Sequence, residues 1–194
     1  NSSTISLGTS SSASGTNSIA IGQDSSATAT QGIAIGKDAT ANQSSTSNNN
    51  DQNYGIAIGS SSTATGNSSI ALGTSSSATE VSSVALGESS TSSNTWSTAV
   101  GTSSNASGSG SGAIGYRATA SGGFATALGY NATASGDDSI AIGSSTANNS
   151  GSISIGKSAS STGGDSVSIG GQASASGTDS VALGGNASAT AQNA

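Results

Sequence analysis

The stretch "SIAIGQDSSATATQGIAIGKDATA" (residues 18–41) contains the same short pattern twice. In each half, an aliphatic, a small and a second aliphatic residue precede a glycine, and a polar run with alternating alanines follows it. The glycine recurs along the whole chain, at positions 8, 22, 36, 59, 73, 87, 101, 115, 129, 143, 156, 170 and 184. Ten of the twelve intervals are 14 residues long, one is 13 and one is 23. Such a constant period predicts a stack of small repeated units.

The residues before the glycine predict a first short strand in every repeat. The residue that directly precedes the glycine is Ile, Leu or Val in every copy, and the residue two places earlier is Ile or Val except at Thr98, Gly112 and Thr126. Alternation with a period of two, in β-branched residues, is typical of a strand with one buried face. We therefore predict that the aliphatic residues face the interior and that the small residues between them face outward.

A second short strand is predicted after the glycine. Alanine stands five residues after the glycine in most copies, as at Ala64 and Ala134, with Ser or Thr on either side. We predict that these alanines face inward and the hydroxyl side chains outward. Two strands and two tight turns account for a 14-residue coil, and each strand then pairs in parallel with its equivalent in the next coil. The predicted fold class is all-β: a parallel β-roll solenoid of about 13 coils.

The domain organisation follows from the spacing of the glycines. Because the period runs from one end of the chain to the other, we predict a single β-roll over residues 1–194. The 23-residue interval contains about nine residues more than a coil needs. We predict that this polar segment, about 43–54, is a tolerated loop that leaves the stack intact.

The small residue between the two aliphatic positions predicts a contact with a second copy of the chain. Each coil offers few apolar inward side chains, so a solitary roll gains little free energy from burial. A free outer surface would tolerate larger residues, yet this column stays small. The alanines that form the candidate subunit interface are Ala20, Ala34, Ala57, Ala71, Ala85, Ala99, Ala113, Ala127, Ala141 and Ala182.

Composition excludes several classes of function. The chain has no cysteine and no histidine, so it lacks thiolate ligands and the commonest general base. Three basic residues and nine acidic residues give a net charge of −6, with no basic patch for nucleic acid. No paired carboxylates, catalytic triad or phosphate-binding loop can be assembled. We predict that the protein is not an enzyme, takes no cofactor or metal, and binds neither nucleic acid nor a small-molecule substrate.

The aromatic residues cluster and offer a candidate ligand patch. Four of the five lie between positions 96 and 130, with an arginine among them: Trp96, Tyr116, Arg117, Phe124 and Tyr130. Aromatic residues and arginine are enriched at binding hot spots. The alternative is structural, because the same segment contains Thr98, Gly112 and Thr126, the three weak positions of the first strand. In that interpretation the rings cover or fill the space these residues leave.

The repeat resembles the YadA-like head of trimeric autotransporter adhesins. The resemblance is carried by "NSIAIG" (17–22), "DSIAIG" (138–143) and "DSVALG" (179–184), and by the continuations "GYRATASG" (115–122) and "GYNATASG" (129–136). It covers essentially the whole chain. The resemblance implies a left-handed roll that assembles as a homotrimer, so the candidate interface is expected to be a trimer contact.

The family also implies a function, and two alternatives stay open beside it. A head of this kind is expected at the bacterial cell surface, anchored in the outer membrane through domains that lie outside this sequence. It would attach to extracellular matrix, host cells or inert surfaces. One alternative is an ice-binding solenoid, because Ser and Thr recur at regular spacing after each glycine. The other is a passive fibre spacer with no ligand of its own.

Overall fold

The computed structural model describes residues 3–42 and 54–194, which form two compact units, Asn1–Thr102 and Ser103–Ala194. Every regular element in the described ranges is a β-strand. Those ranges contain no helix of the length and apolarity needed to cross a membrane. The loop predicted at about 43–54 lies outside the described residues, except for Tyr54 at its end.

The first unit alternates three-residue and two-residue strands. The three-residue strands are β1 Ile5–Leu7, β3 Ile19–Ile21, β5 Ile33–Ile35, β7 Ile56–Ile58, β9 Ile70–Leu72, β11 Val84–Leu86 and β13 Thr98–Val100. The two-residue strands are β2 Ser12–Ala13, β4 Ser26–Ala27, β6 Thr40–Ala41, β8 Thr63–Ala64, β10 Ser77–Ala78 and β12 Thr91–Ser92. The first set coincides with the aliphatic phrase of each repeat, and the second with the alanine run.

The second unit continues the same alternation. Its three-residue strands are β15 Gly112–Ile114, β17 Thr126–Leu128, β19 Ile140–Ile142, β21 Ile153–Ile155, β23 Val167–Ile169 and β25 Val181–Leu183. Its two-residue strands are β14 Asn105–Ala106, β16 Thr119–Ala120, β18 Thr133–Ala134, β20 Thr146–Ala147, β22 Ser160–Ser161, β24 Ser174–Ala175 and β26 Ser188–Ala189.

Strands of equal length pair with one another, in parallel and in repeat register. In the second unit Ala127 pairs with Ala141, and Leu128 pairs with Ile142. The 13-residue repeat keeps this register, since Ile142 pairs with Ile155. The three-residue strands of each unit therefore form one parallel sheet, the long-strand sheet, and the two-residue strands form the short-strand sheet opposite. The predicted solenoid is confirmed, with about 12 turns in all.

Two tight corners join the sheets in every coil. The first corner begins at the repeat glycine after a three-residue strand, and the second corner precedes the next three-residue strand. Gly115 opens a first corner with a φ of +134°, and a Cβ at this position would lie 2.3 Å from the carbonyl oxygen of Gly129 in the next coil. Only glycine fits so close to the neighbouring backbone. This contact explains why the glycine recurs in every repeat.

The side-chain directions in the long-strand sheet are the reverse of the prediction. From β3 to β25 the interior holds the middle alanine or serine of each strand, with Ala20, Ala85 and Ala127 fully buried. The flanking aliphatic residues project outward and are partly or largely exposed. The prediction that the alanine column faces outward is therefore wrong. The alanines concerned line the inside of the roll: Ala20, Ala34, Ala57, Ala71, Ala85, Ala99, Ala113, Ala127, Ala141 and Ala182.

The physical reason for the reversal is the small size of the coil. Strands of three and two residues joined by tight corners leave room between the sheets for alanine, serine and glycine only. In the short-strand sheet the predicted directions hold, since Ala134 is buried while Thr133 is half-buried on the outer face. Because alanine and serine side chains of the two sheets fill the interior, Ile and Leu lie outside.

Serine also lies inside the roll, and many of its buried hydroxyl groups donate to a backbone carbonyl oxygen, although those of Ser18, Ser69 and Ser139 have no hydrogen-bond partner. At the second corner the Ser111 hydroxyl donates to the carbonyl oxygen of Gly108 at 2.7 Å. Between the sheets, the Ser161 hydroxyl donates to the Ile153 carbonyl oxygen at 2.6 Å and shares a second hydrogen bond, of 2.7 Å, with the Ser168 hydroxyl. These hydrogen bonds offset the cost of burying a polar group. The interior can therefore be rich in serine without losing its close packing.

Ala141→Leu should destabilise the fold strongly, because the interior has no space for three additional carbon atoms. We expect a loss of about 1–3 kcal/mol per chain in the free energy of unfolding, as for overpacked cores in general. Thr133→Leu is the matched control, since the same side chain there extends from the outer face and should change stability by about 0.5 kcal/mol or less. Chemical denaturation followed by circular dichroism measures both. Equal losses in the two variants would contradict the observed side-chain directions.

Candidate interaction surfaces

The outer side of the long-strand sheet is mainly apolar and is here called the aliphatic face; Thr98, Gly112 and Thr126 are the positions of its columns that carry no aliphatic side chain. In the second unit it consists of two columns of outward-pointing residues that flank the buried middle residues. Ile114 and Leu128, which are adjacent in one column, each expose 42% of their surface. No strand of the sheet contains a charged residue. Ile58 and Leu72 are adjacent in the corresponding column of the first unit.

Sequence reasoning noticed the aliphatic residues but assigned them to the interior. The sizes of the alanine and aliphatic side chains could have indicated which of them face the interior. If the Ile and Leu side chains of one strand faced the interior, the two sheets would have to lie far apart. The alanines of the opposite strand are too short to fill such a space. The uniform alanine column was the better candidate for a tightly closed interior.

At the first corners of the second unit, three predicted patch residues come together. The rings of Tyr116 and Tyr130 stack with centroids 5.5 Å apart and planes 15° from parallel. The guanidinium carbon of Arg117 lies 5.2 Å from the centroid of the Tyr116 ring. The two tyrosines expose 43% and 59% of their surface. We call these three residues the tyrosine cluster.

Phe124 lies at a second corner and is separate from the tyrosine cluster. Its side chain is 64% exposed and leans along the corner toward the preceding coil, where a Cβ added to Gly110 would lie 2.7 Å from the phenylalanine ring. In the first unit, Trp96 also occupies a second corner and is 63% exposed. Both Phe124 and Trp96 have the left-handed backbone conformation, with φ of 55° and 58°.

The predicted five-residue patch is thus divided. Tyr116, Arg117 and Tyr130 form one cluster, while Phe124 lies at the opposite corner of the same coils. The rings do not fill interior gaps beside Thr98, Gly112 and Thr126. Those three residues begin strands of the long-strand sheet and belong to its outer face, so they leave no gap in the interior.

The described residues offer little else for chemistry. They contain no group of three or more residues that could hold a metal ion, and no pocket. Lys37 and Asp38 form an exposed ion pair at 3.9 Å, of a kind that contributes little to stability.

Comparison with known proteins points to the family that the repeat pattern resembles. The model of the YadA head domain repeat matches residues 2–25, 27–46, 53–76, 78–104, 97–118, 106–132, 120–146, 161–187 and 175–194. Among solved structures, the crystal structure of the collagen-binding domain of the Yersinia adhesin YadA is similar, with a TM-score of 0.56 and 28% sequence identity over 80% of this chain and 82% of that one. No curated protein sequence matches significantly. Because the repeat matches cover most of the sequence and coincide with the observed coils, the chain belongs to the family of YadA head domain repeats.

Proposed function

We propose that the chain is the head of a homotrimeric bacterial surface adhesin that attaches to extracellular matrix. The similar Yersinia domain is a collagen-binding domain, and it shares the fold over four-fifths of the chain. An adhesin needs exposed contact surfaces and no catalytic centre, in keeping with the exposed rings described above. The proposed location is the outer surface of the cell, with the anchor supplied by other domains.

The aliphatic face is the observation that supports trimeric assembly. Parallel sheets are normally covered on both faces, because their strands are apolar on both sides. Here one face packs on the short-strand sheet, and the other is left with exposed Ile, Leu and Val side chains. Three copies that turn these faces toward a common axis would bury all of them. The proposed trimer contact therefore consists of the aliphatic columns and no longer of the alanine column.

The tyrosine cluster is the proposed ligand contact on each subunit. Its two rings and its guanidinium group lie together on a surface otherwise made mainly of Ser, Thr and Asn. Aromatic residues and arginine contribute most of the binding energy at many interfaces. A trimer presents the cluster three times, so weak single contacts become strong through avidity.

Leu128→Asp should dissociate the assembly. In a trimer the substitution places three carboxylates in an apolar contact, where the desolvation of a charge is costly. Thr133→Asp is the control, because it adds the same charge to the outer face of the short-strand sheet. We expect light scattering to give a trimer mass for the unmutated and control chains and a monomer or unfolded chain for Leu128→Asp. A stable, folded monomer of the unmutated chain would refute the proposed assembly.

Removal of the tyrosine cluster should abolish adhesion without unfolding the head. The combined Tyr116→Ser, Arg117→Ser and Tyr130→Ser variant gives these corners the serine-rich surface of other coils. We expect binding to immobilised collagen to fall at least tenfold, while the melting temperature changes little because the side chains are exposed.

A matched control uses the same two corner positions in other coils. The Lys157→Ser and Gln172→Ser double variant also removes one positive charge and one long side chain, so it should bind as well as the unmutated head. Undiminished adhesion of the triple variant would argue against the cluster and in favour of the Ser/Thr surface of the short-strand sheet.

A further inference from the structure

We infer that the second unit binds a carboxylated sugar ring at its first corners, in a recess that one shortened corner leaves between Tyr130 and Lys157. We call this site the corner recess. Ser144 forms its floor, and Tyr130 and Lys157 form its two walls. The inference goes beyond the proposed function, with which it shares Tyr130, and it needs neither a second copy of the chain nor binding to collagen.

The recess arises from the 13-residue interval of the repeat. The short strands on either side of it stay in register, with Thr133 of β18 opposite Thr146 of β20. Yet three residues separate Gly129 from β18, and only two separate Gly143 from β20. The missing residue therefore belongs to the first corner that begins at Gly143. This glycine has a φ of +92°, whereas Gly129 and Gly156 have +134° and +133°, so the shortened corner follows a different path.

Ser144 replaces the hydrogen bond of the missing residue. In a full-length corner, the second residue after the glycine donates its backbone N–H to the preceding coil, as Asn131 does to the Tyr116 carbonyl oxygen at 3.0 Å. In the shortened corner the Ser144 hydroxyl donates to the Tyr130 carbonyl oxygen at 2.9 Å instead. Ser144 is half-buried, whereas the residue directly after the repeat glycine is exposed in every other described coil. The shortened corner therefore lies lower than its neighbours.

The two neighbouring corners carry long side chains at the position of Ser144. Tyr130 precedes it and Lys157 follows it, and both are exposed. One face of the Tyr130 ring stacks on Tyr116, so its other face is turned toward the coil of Ser144. The corners of Tyr130 and Lys157 are two coils apart, or about 10 Å. A ring in contact with Tyr130 would lie about 4 Å from it, which leaves room for the substituents of that ring beneath Lys157.

The floor and the aromatic wall fit a sugar ring. The C–H groups on one face of a hexose carry a slight positive charge, and they pack against the negative face of an aromatic ring. The Ser144 hydroxyl uses its proton on Tyr130, and its oxygen can still accept a hydrogen bond from a sugar hydroxyl. A wholly apolar ligand would leave both Ser144 and Lys157 without a partner. The recess is open to solvent, which suits the end of a glycan that is attached to a larger molecule.

The distribution of charge favours a sugar with a carboxylate. The second unit has two basic residues, Arg117 and Lys157, and both lie at first corners. Its acidic residues all lie at second corners: Asp137, Asp138, Asp165 and Asp179. Lys157 forms no salt bridge within this unit, so its ammonium group is available to a carboxylate of the ligand. A long polyanion fits less well, because the chain has a net charge of −6.

A comparison of acidic and neutral sugars tests the ligand class. Sialic acid and glucuronic acid are two sources of a carboxylated ring, so the probes are 3′-sialyllactose and methyl β-glucuronide. Lactose and methyl β-glucoside are their neutral counterparts. In NMR titrations of the unmutated head, we expect at least one acidic probe to bind at least tenfold more tightly than its neutral counterpart. If neither does, the inference is overturned.

A serine inserted after Ser144 tests the recess while both walls stay in place. The corner then reads Gly-Ser-Ser-Ser, as residues 59–62 do, so the chain should fold and melt like the unmutated head. We expect the acidic probe to bind at least tenfold more weakly, because the inserted residue fills the recess. Collagen binding should be unchanged, since the tyrosine cluster is intact.

Substitution of Lys157 tests the charged wall. Lys157→Ser should reduce binding of the acidic probe to the level of its neutral counterpart, and Lys157→Arg should preserve the preference. Gln172→Ser is the control, because it shortens an exposed side chain at another first corner of the same unit. It should leave binding of both kinds of probe unchanged.

The two readouts separate this inference from the proposed function. A head that binds collagen but neither acidic probe would overturn the corner recess and leave the proposed function standing. A head that binds an acidic probe but no collagen would do the reverse. Normal binding of the acidic probe by the inserted chain or by Lys157→Ser would overturn the inference, and Lys157→Ser alone decides if the inserted chain does not fold.

Discussion

The narrow space between the two sheets is the constraint on which the rest of the structure depends. A coil of 14 residues with strands of three and two residues can enclose only alanine, serine and glycine. Within each unit, this interior is closed by Ala127 and its equivalents on one side and by Ala134 and its equivalents on the other. Because larger residues do not fit, every Ile, Leu and Val of the repeat lies on the outside. A chain with so little buried apolar area gains stability mainly from hydrogen bonds between coils, and the proposed contacts with other copies would add to it.

The narrow interior also determines which side chains each outer surface carries. One face of the roll is aliphatic and suits contact with copies of itself, and the opposite face is rich in hydroxyl groups and suits contact with water. At the corners a large side chain can vary without disturbing either sheet. It follows that the aromatic residues and the arginine stand at corners, where Tyr116, Arg117, Phe124 and Tyr130 are all exposed or nearly so.

The fold was predictable because its signal is periodic, whereas the direction of the side chains was not. The spacing of the glycines located both strands of each coil, and parallel pairing followed from stacking identical units. Alternation shows that a strand has two different faces, but it does not say which face is the interior. The usual rule that β-branched residues are buried failed at Ile142 and Leu128, because it assumes a core large enough to hold them. In the candidate site, Phe124 and Tyr130 were grouped because they are close in sequence. Their positions relative to the repeat glycine would have assigned them to different corners.

Each coil pairs only with the coils next to it, and this has an evolutionary consequence. Within each unit, the described strands and corners pair with their equivalents about one repeat away, and successive coils present nearly the same backbone surface to their neighbours. Recombination between two repeats in the gene would remove or add a whole coil and leave matching surfaces to rejoin. The reach of such a head could thus lengthen or shorten in steps of about 4.8 Å, the spacing of hydrogen-bonded strands. Selection could then adjust the distance between a cell and its target without redesigning any contact.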